Sequence, residues 1–247
     1  YKEKEVLQAV SPSDGQVRQE IVNVPGEGFV FGLYNAVDIP FEGGSLLADT
    51  LVAAAVTNSE GKLIFSGYFP HGAYYLRELS GSSGWKLSAE HIPVNLTADQ
   101  LTTGATAIAI PLAEPVHNEL VYFHVTLTKT DITGQETVPG ALIEVADAAG
   151  AVIYRAYTDA QGQIPEIPVV PGTYTFREVL APDGYLLNAA EMQFTVSEDG
   201  SVNGNTTLRD DFNRILLHKV DTAGSPLAGA VFALLDGSGR EVMTAVS

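Results

Sequence analysis

Residues 173–185 read Thr-Tyr-Thr-Phe-Arg-Glu-Val-Leu-Ala-Pro-Asp-Gly-Tyr, and the acid in the middle of this run is the first candidate for chemistry. Side chains alternate between the two faces of a strand, so Tyr174, Phe176 and Glu178 share one face while Thr175 and Arg177 take the other. A carboxylate on an apolar face is costly unless it is neutral, paired or reactive. The same parity applies to Val125-Thr-Leu-Thr-Lys129, where Val125 and Leu127 place Lys129 inward. In Thr206-Thr-Leu-Arg-Asp-Asp-Phe212, inward Leu208 and Phe212 put Asp210 inward as well; turning Asp211 inward would bury Arg209.

One lysine and two acids on inward faces have two readings. A buried ion pair of Lys129 and Asp210 is the simpler, but such pairs seldom stabilise much once desolvation is counted, and a pair leaves the second acid unexplained. The chemistry that uses all three is amide formation. Burial favours the neutral forms of amines and carboxyls, which makes an amine nucleophilic. A protonated Glu178 would polarise the Asp210 carbonyl and relay protons as water leaves. Fixed geometry would supply the effective concentration.

The 247 residues suffice for one to three domains with cores. Thr, Val, Tyr, Phe and Gly are plentiful and no long helical period is present, which predicts an all-β chain. A net charge of −17 argues against a nucleic-acid partner. The absence of cysteine removes disulfides and thiolate chemistry, so a covalent tie must come from other residues. The acids lack the spacing of a calcium loop, the five histidines stand apart, and no phosphate loop is present, so neither metal nor cofactor is expected. No apolar run reaches membrane-spanning length. With no leader, sorting motif or initiator Met, the sequence reads as a slice of a longer chain.

The chain also repeats itself. Gly28–Tyr34, Gly140–Ala146 and Gly229–Leu235 are alternating strands entered from Pro- or Gly-bearing turns. A second pattern, a Gly-bearing turn followed by aromatic-x-apolar-Arg-Glu, occurs at residues 57–79 and again at 158–179. These repeats divide the chain into units 1–119, 120–212 and the opening of a third, 213–247.

On these residues the chain resembles the isopeptide-forming domains of Gram-positive surface proteins, the SpaA-type pilin domains and collagen-adhesin B-type repeats. The matching motifs are Leu127-Thr-Lys-Thr-Asp131, Pro139-Gly-Ala141, Pro171-Gly-Thr-Tyr-Thr-Phe-Arg-Glu178, Ala181-Pro-Asp-Gly-Tyr185 and Phe194-Thr-Val196. The resemblance implies tandem prealbumin-like, Ig-like β-sandwiches and a Lys129–Asp210 cross-link assisted by Glu178. It further implies an extracellular, sortase-anchored cell-wall protein whose domains stack as a rigid stalk. In the first unit Glu78 and Asn118 match the acid and the closing residue, and an Asn partner would release ammonia. Lys4 is the preferred amine there, with Lys2 of the same parity. Lys219 would serve in the third unit, whose acid and closing strand would lie past Ser247. The competing expectation is an adhesin that binds a host matrix or glycan ligand through the first unit, where Asp38–Ser45 reads as a loop.

Overall fold

In a computed structural model of the chain, residues 1–100, 110–112, 114–213 and 216–247 are described. In the first unit the strands are β1 (Lys2–Val10), β2 (Arg18–Pro25), β3 (Val30–Asn35), β4 (Ile39–Phe41), β5 (Gly44–Leu46), β6 (Leu51–Val56), β7 (Gly72–Ser80), β8 (Ile92–Leu96) and β9 (Val116–Asn118). In the second unit they are β10 (Phe123–Asp131), β11 (Leu142–Asp147), β12 (Val152–Tyr157), β13 (Gln163–Val169), β14 (Gly172–Leu180), β15 (Met192–Val196), β16 (Val202–Gly204) and β17 (Thr207–Asp210). The hairpin β18 (Val231–Leu235) and β19 (Glu241–Val246) closes the chain. The all-β expectation holds.

The second unit is a sandwich of a five-stranded sheet, β12-β11-β14-β15-β16, and a three-stranded sheet, β13-β10-β17. Alternation fills the space between them. Val125, Leu127, Ile143, Val145, Ile164, Ile167, Phe176, Phe194 and Leu208 form one buried cluster. Tyr174 stacks on Phe194 with ring centroids 5.3 Å apart. The first and last strands of this unit, β10 and β17, run parallel, with Lys129 opposite Leu208 and Asp131 opposite Asp210.

The first unit repeats the plan with a four-stranded sheet, β6-β3-β7-β8, and a three-stranded sheet, β2-β1-β9. Its core gathers Phe29, Phe31, Leu33, Tyr74, Leu76, Val94 and Val116. Here too the first and last strands are parallel: Lys2 faces Val116 and Lys4 faces Asn118. Two features depart from the expectations. The stretch Asp38–Ser45 is a small hairpin, β4 paired with β5, rather than a loop. Phe212 is not inward; 37 % exposed, it lies against Tyr185 at the surface, with ring centroids 5.3 Å apart. Asp210 is buried nonetheless, because Leu208 alone sets the parity of β17.

Candidate cross-linking sites

Three strands meet at the second-unit site. β10 brings Lys129, β14 brings Glu178 and β17 brings Asp210, with exposures of 1 %, 2 % and 0 %. Lys129 Nζ donates to Asp210 Oδ1, and it lies 3.4 Å from Glu178 Oε1. Glu178 Oε2 accepts the backbone N–H of Asn188 at 2.8 Å, which fixes the carboxyl. Glu178 Oε1 and Asp210 Oδ2 have no other hydrogen-bond partner among the described residues. Burial pushes the Glu178 carboxyl up from its ordinary value, and the neighbouring Asp210 pushes the same way; the Asn188 N–H and the Lys129 charge pull it down. The site therefore holds an amine, a carboxyl to receive it, and a second acid biased toward carrying a proton.

A backbone constraint seats the lysine. Lys129 N donates to Gly162 O at 2.7 Å, and Val138 N donates to Lys129 O at 3.0 Å. Gly162 adopts φ +68°, and a Cβ there would stand 2.6 Å from Lys129 O and 2.9 Å from Val138 N. The turn glycine of Thr158–Gly162 thus permits close passage of two backbones beside Lys129.

The first unit repeats the same frame, and the lysine it buries is Lys2 rather than the expected Lys4. Lys2 N donates to Gly61 O and Gly26 N donates to Lys2 O, the bonds that Lys129 makes with Gly162 and Val138. In both units the buried lysine lies two residues ahead of the position that faces the closing residue. Lys2 is 0 % exposed, whereas Lys4 lies half-buried with Nζ 4.5 Å above the Trp85 ring. Lys4 is therefore the counterpart of Asp131 and does not enter the cluster. Parity could not separate the two lysines; register does.

Glu78 and Asn118 are buried together, and Asn118 Nδ2 donates to Glu78 Oε1 at 2.8 Å. Ser88 N donates to Glu78 Oε2 at 2.8 Å, as Asn188 does to Glu178. Lys2 Nζ donates to Glu3 O at 2.6 Å and Val116 O at 3.1 Å and lies 4.7 Å over the Phe29 ring. No hydrogen bond joins it to Asn118 among the described residues. Burial lowers the Lys2 amine to about 8 against the pull of Glu78. Lys219, the third expected amine, is exposed and donates to Val220 O at 3.2 Å. Among the described residues no group of three or more His, Cys, Asp or Glu is placed to hold a metal ion.

The backbone donors Asn188 and Ser88 were not foreseen. Neither residue type matters to the bond, and the only available signal was the fixed distance, ten residues, from the acid to its donor.

A twice-built sandwich with an inward Lys and Glu and a closing Asp or Asn defines a class of β-sandwich domain, and comparison with known families agrees on the fold. The SpaA prealbumin-like fold domain matches residues 23–108 and again 123–210, and the chain belongs to this family. Among solved structures, the Bacillus anthracis TIE protein superposes with a TM-score of 0.52 at 21 % identity, covering 98 % of this chain and 48 % of that one. This chain thus spans about half the length of that protein. The C-terminal fragment of the pilus adhesin SpaC from Lactobacillus rhamnosus GG gives a TM-score of 0.46 at 18 % identity, covering 77 % of this chain and 92 % of that chain. The shaft pilin spaA from the same organism gives 0.36 at 16 % identity, with 87 % and 98 % covered. No curated protein matches.

Proposed function

We propose that the chain is a stalk segment of a Gram-positive surface protein or pilus, stiffened by self-formed isopeptide bonds within its domains. The observation that carries this reading is the buried contact of Lys129 with Asp210 beside Glu178, between the first and last strands of one domain. The Lys129 nitrogen in its neutral form attacks the Asp210 carboxyl carbon. The Glu178 proton hydrogen-bonds the carbonyl oxygen that gains charge. Glu178 then takes a proton from the nitrogen and delivers it to the departing oxygen. One N–C bond forms, one C–O bond breaks, water leaves, and Glu178 ends as it began. The domain is thus its own single-turnover catalyst, with no cofactor in the balance.

In the first domain the same roles fall to Lys2, Glu78 and Asn118, with ammonia as the leaving group. There the Asn118 amide presents its Nδ2 to Glu78, so a flip of that amide and a swing of Lys2 Nζ away from Val116 O precede reaction. Residues 213–247 are the opening of a third such domain, in which Lys219 would be the amine. Anchoring to the cell wall by a sortase would lie outside these residues.

Intact mass under denaturing conditions tests the reading. A chain lighter than its sequence by one water, with the deficit abolished by Glu178→Ala, is the expected result. A further deficit of one ammonia would report the first-domain bond. A mass equal to the plain sequence would overturn the cross-linked stalk.

A second reading, adhesion to a host matrix ligand, is favoured by one observation. The β4–β5 hairpin projects Phe41 at 58 % exposure, with Val37 and Leu47 exposed beside it in sequence. Binding of immobilised matrix proteins that is lost on Phe41→Ser would establish it, and equal binding by the variant would remove it.

A further inference from the structure

The stretch between the buried lysine and its return differs sharply among the three units. The chain comes back to the lysine carbonyl at Val138 in the second and at Leu227 in the third, through short turns closed at Asp131 and Asp221. In the first it comes back only at Gly26. The intervening residues form a long two-stranded ribbon, β1 with β2, in unbroken register from Glu3↔Pro25 to Val10↔Arg18.

The far end of the ribbon leaves its own domain and meets the second. Val17, just before β2, is buried and exchanges both backbone hydrogen bonds with Arg155 of β12: Val17 N to Arg155 O at 3.0 Å and Arg155 N to Val17 O at 2.8 Å. Gln19 Nε2 donates to Pro168 O of β13 at 2.9 Å. β12 is the outer strand of the five-stranded sheet, so these bonds fall on an otherwise open edge. Arg155 is itself held, because its Nε donates to the largely buried Glu144 at 3.0 Å. Behind the contact a cavity of about 280 Å³ lies between the domains, lined by Val6, Leu7, Trp85 and Leu120 on one side and Ile153 and Tyr174 on the other.

We propose that the β1–β2 ribbon is an interdomain strap, a docking element whose partner is the β12 edge of the second domain. Tandem domains move relative to each other unless their interface is large and apolar. The strap supplies the missing constraint with directional bonds, and the two domains behave as one body. The second domain gains as well, since an uncovered edge strand is a template for pairing with other chains. This inference does not rest on the isopeptide reading, as no bond of the strap involves the cross-linking residues.

The test uses the 247-residue chain, whose lack of cysteine allows two labelling sites to be introduced at Glu90 and Glu198, both exposed. Spin labels there report the distribution of interdomain distances. In one variant, Ala9–Gln19 is replaced by Asn-Gly, which closes the ribbon as a tight hairpin at Gln8↔Glu20. In a milder variant, Val17→Pro removes the N–H donated to Arg155 O. A narrow parent distribution that widens about twofold or more in the shortened chain, and by less in Val17→Pro, is expected. Hydrogen exchange at Arg155 should quicken in the shortened chain while amides of the second-domain core stay protected, which separates loss of the strap from loss of the fold. An unchanged distribution with faster exchange at Arg155 would show that the ribbon covers the edge without fixing the domains and would overturn the proposal, as would a parent distribution already broad.

Discussion

Replacing Glu178 by Gln keeps the size of the side chain and an oxygen to accept the Asn188 N–H, but removes the proton the proposed reaction requires. Lys129 and Asp210 then remain side by side and unjoined. The lost link closes a loop spanning 81 residues. Treated as a chain cross-link, a loop of that length lowers the entropy of the unfolded chain enough to stabilise the domain by about 4–5 kcal/mol. For a domain of this size that corresponds to a fall in melting temperature of roughly 20–35 °C. Calorimetry of the whole chain provides the measurement, with the transition of the first domain as internal reference, and intact mass of the same samples reports whether the bond is present. The variant should regain one water in mass and lose the calculated stability together. A variant that still lacks the water would show that Glu178 is not needed. Recovery of the water with a shift of only a few degrees would show that the link does not constrain the unfolded chain as argued.

Three further outcomes follow from the geometry. In the first domain, Lys2→Ala should abolish any ammonia deficit and Lys4→Ala should leave it intact, since only Lys2 is seated on Gly61 and Gly26; the reverse pattern would refute the register argument. Gly162→Ala should destabilise the second domain by roughly 2–4 kcal/mol, read by chemical denaturation, because it combines a left-handed backbone with a Cβ pressed on Lys129 O. For the pH dependence, an Asn118→Ala chain keeps Lys2 unreacted and buried, with its amine lowered to about 8 from 10.5. Between those values the unfolded chain binds the proton and the folded one does not, so first-domain stability should rise with pH across that window and carry the full burial penalty below it. Adding Lys2→Met should remove that rise; an identical slope in both chains would refute it.

Much of the second-domain site is legible in sequence because strand parity is a local property. Tyr174 and Phe176 declare the face of Glu178, Val125 and Leu127 that of Lys129, and Leu208 that of Asp210. Parity stops short where two candidates share it, as Lys2 and Lys4 do; only the pairing of β1 with β9, fixed by contacts more than a hundred residues apart, tells them apart. The donors Ser88 and Asn188 escape because a backbone N–H has no sequence signature. The docking of the ribbon on Arg155 depends on a second domain packed alongside it, which no local pattern reports. Asp38–Ser45 reads as a loop in sequence because its Pro and paired glycines outweigh three-residue strands, which are too short to show a period.

The parallel pairing of β10 with β17 has a mechanical consequence. The chain enters the domain at the start of one strand and leaves at the end of the other, so a pull on the two ends slides the strands along each other in shear. Every ladder hydrogen bond is loaded at once, where antiparallel terminal strands would open one bond at a time like a zipper. A covalent bridge from Lys129 to Asp210 would carry tension from the entering strand directly to the leaving one. The five-stranded sheet and all its loops would then hang outside the load path, free to vary in sequence without weakening the connection between the two ends of the domain.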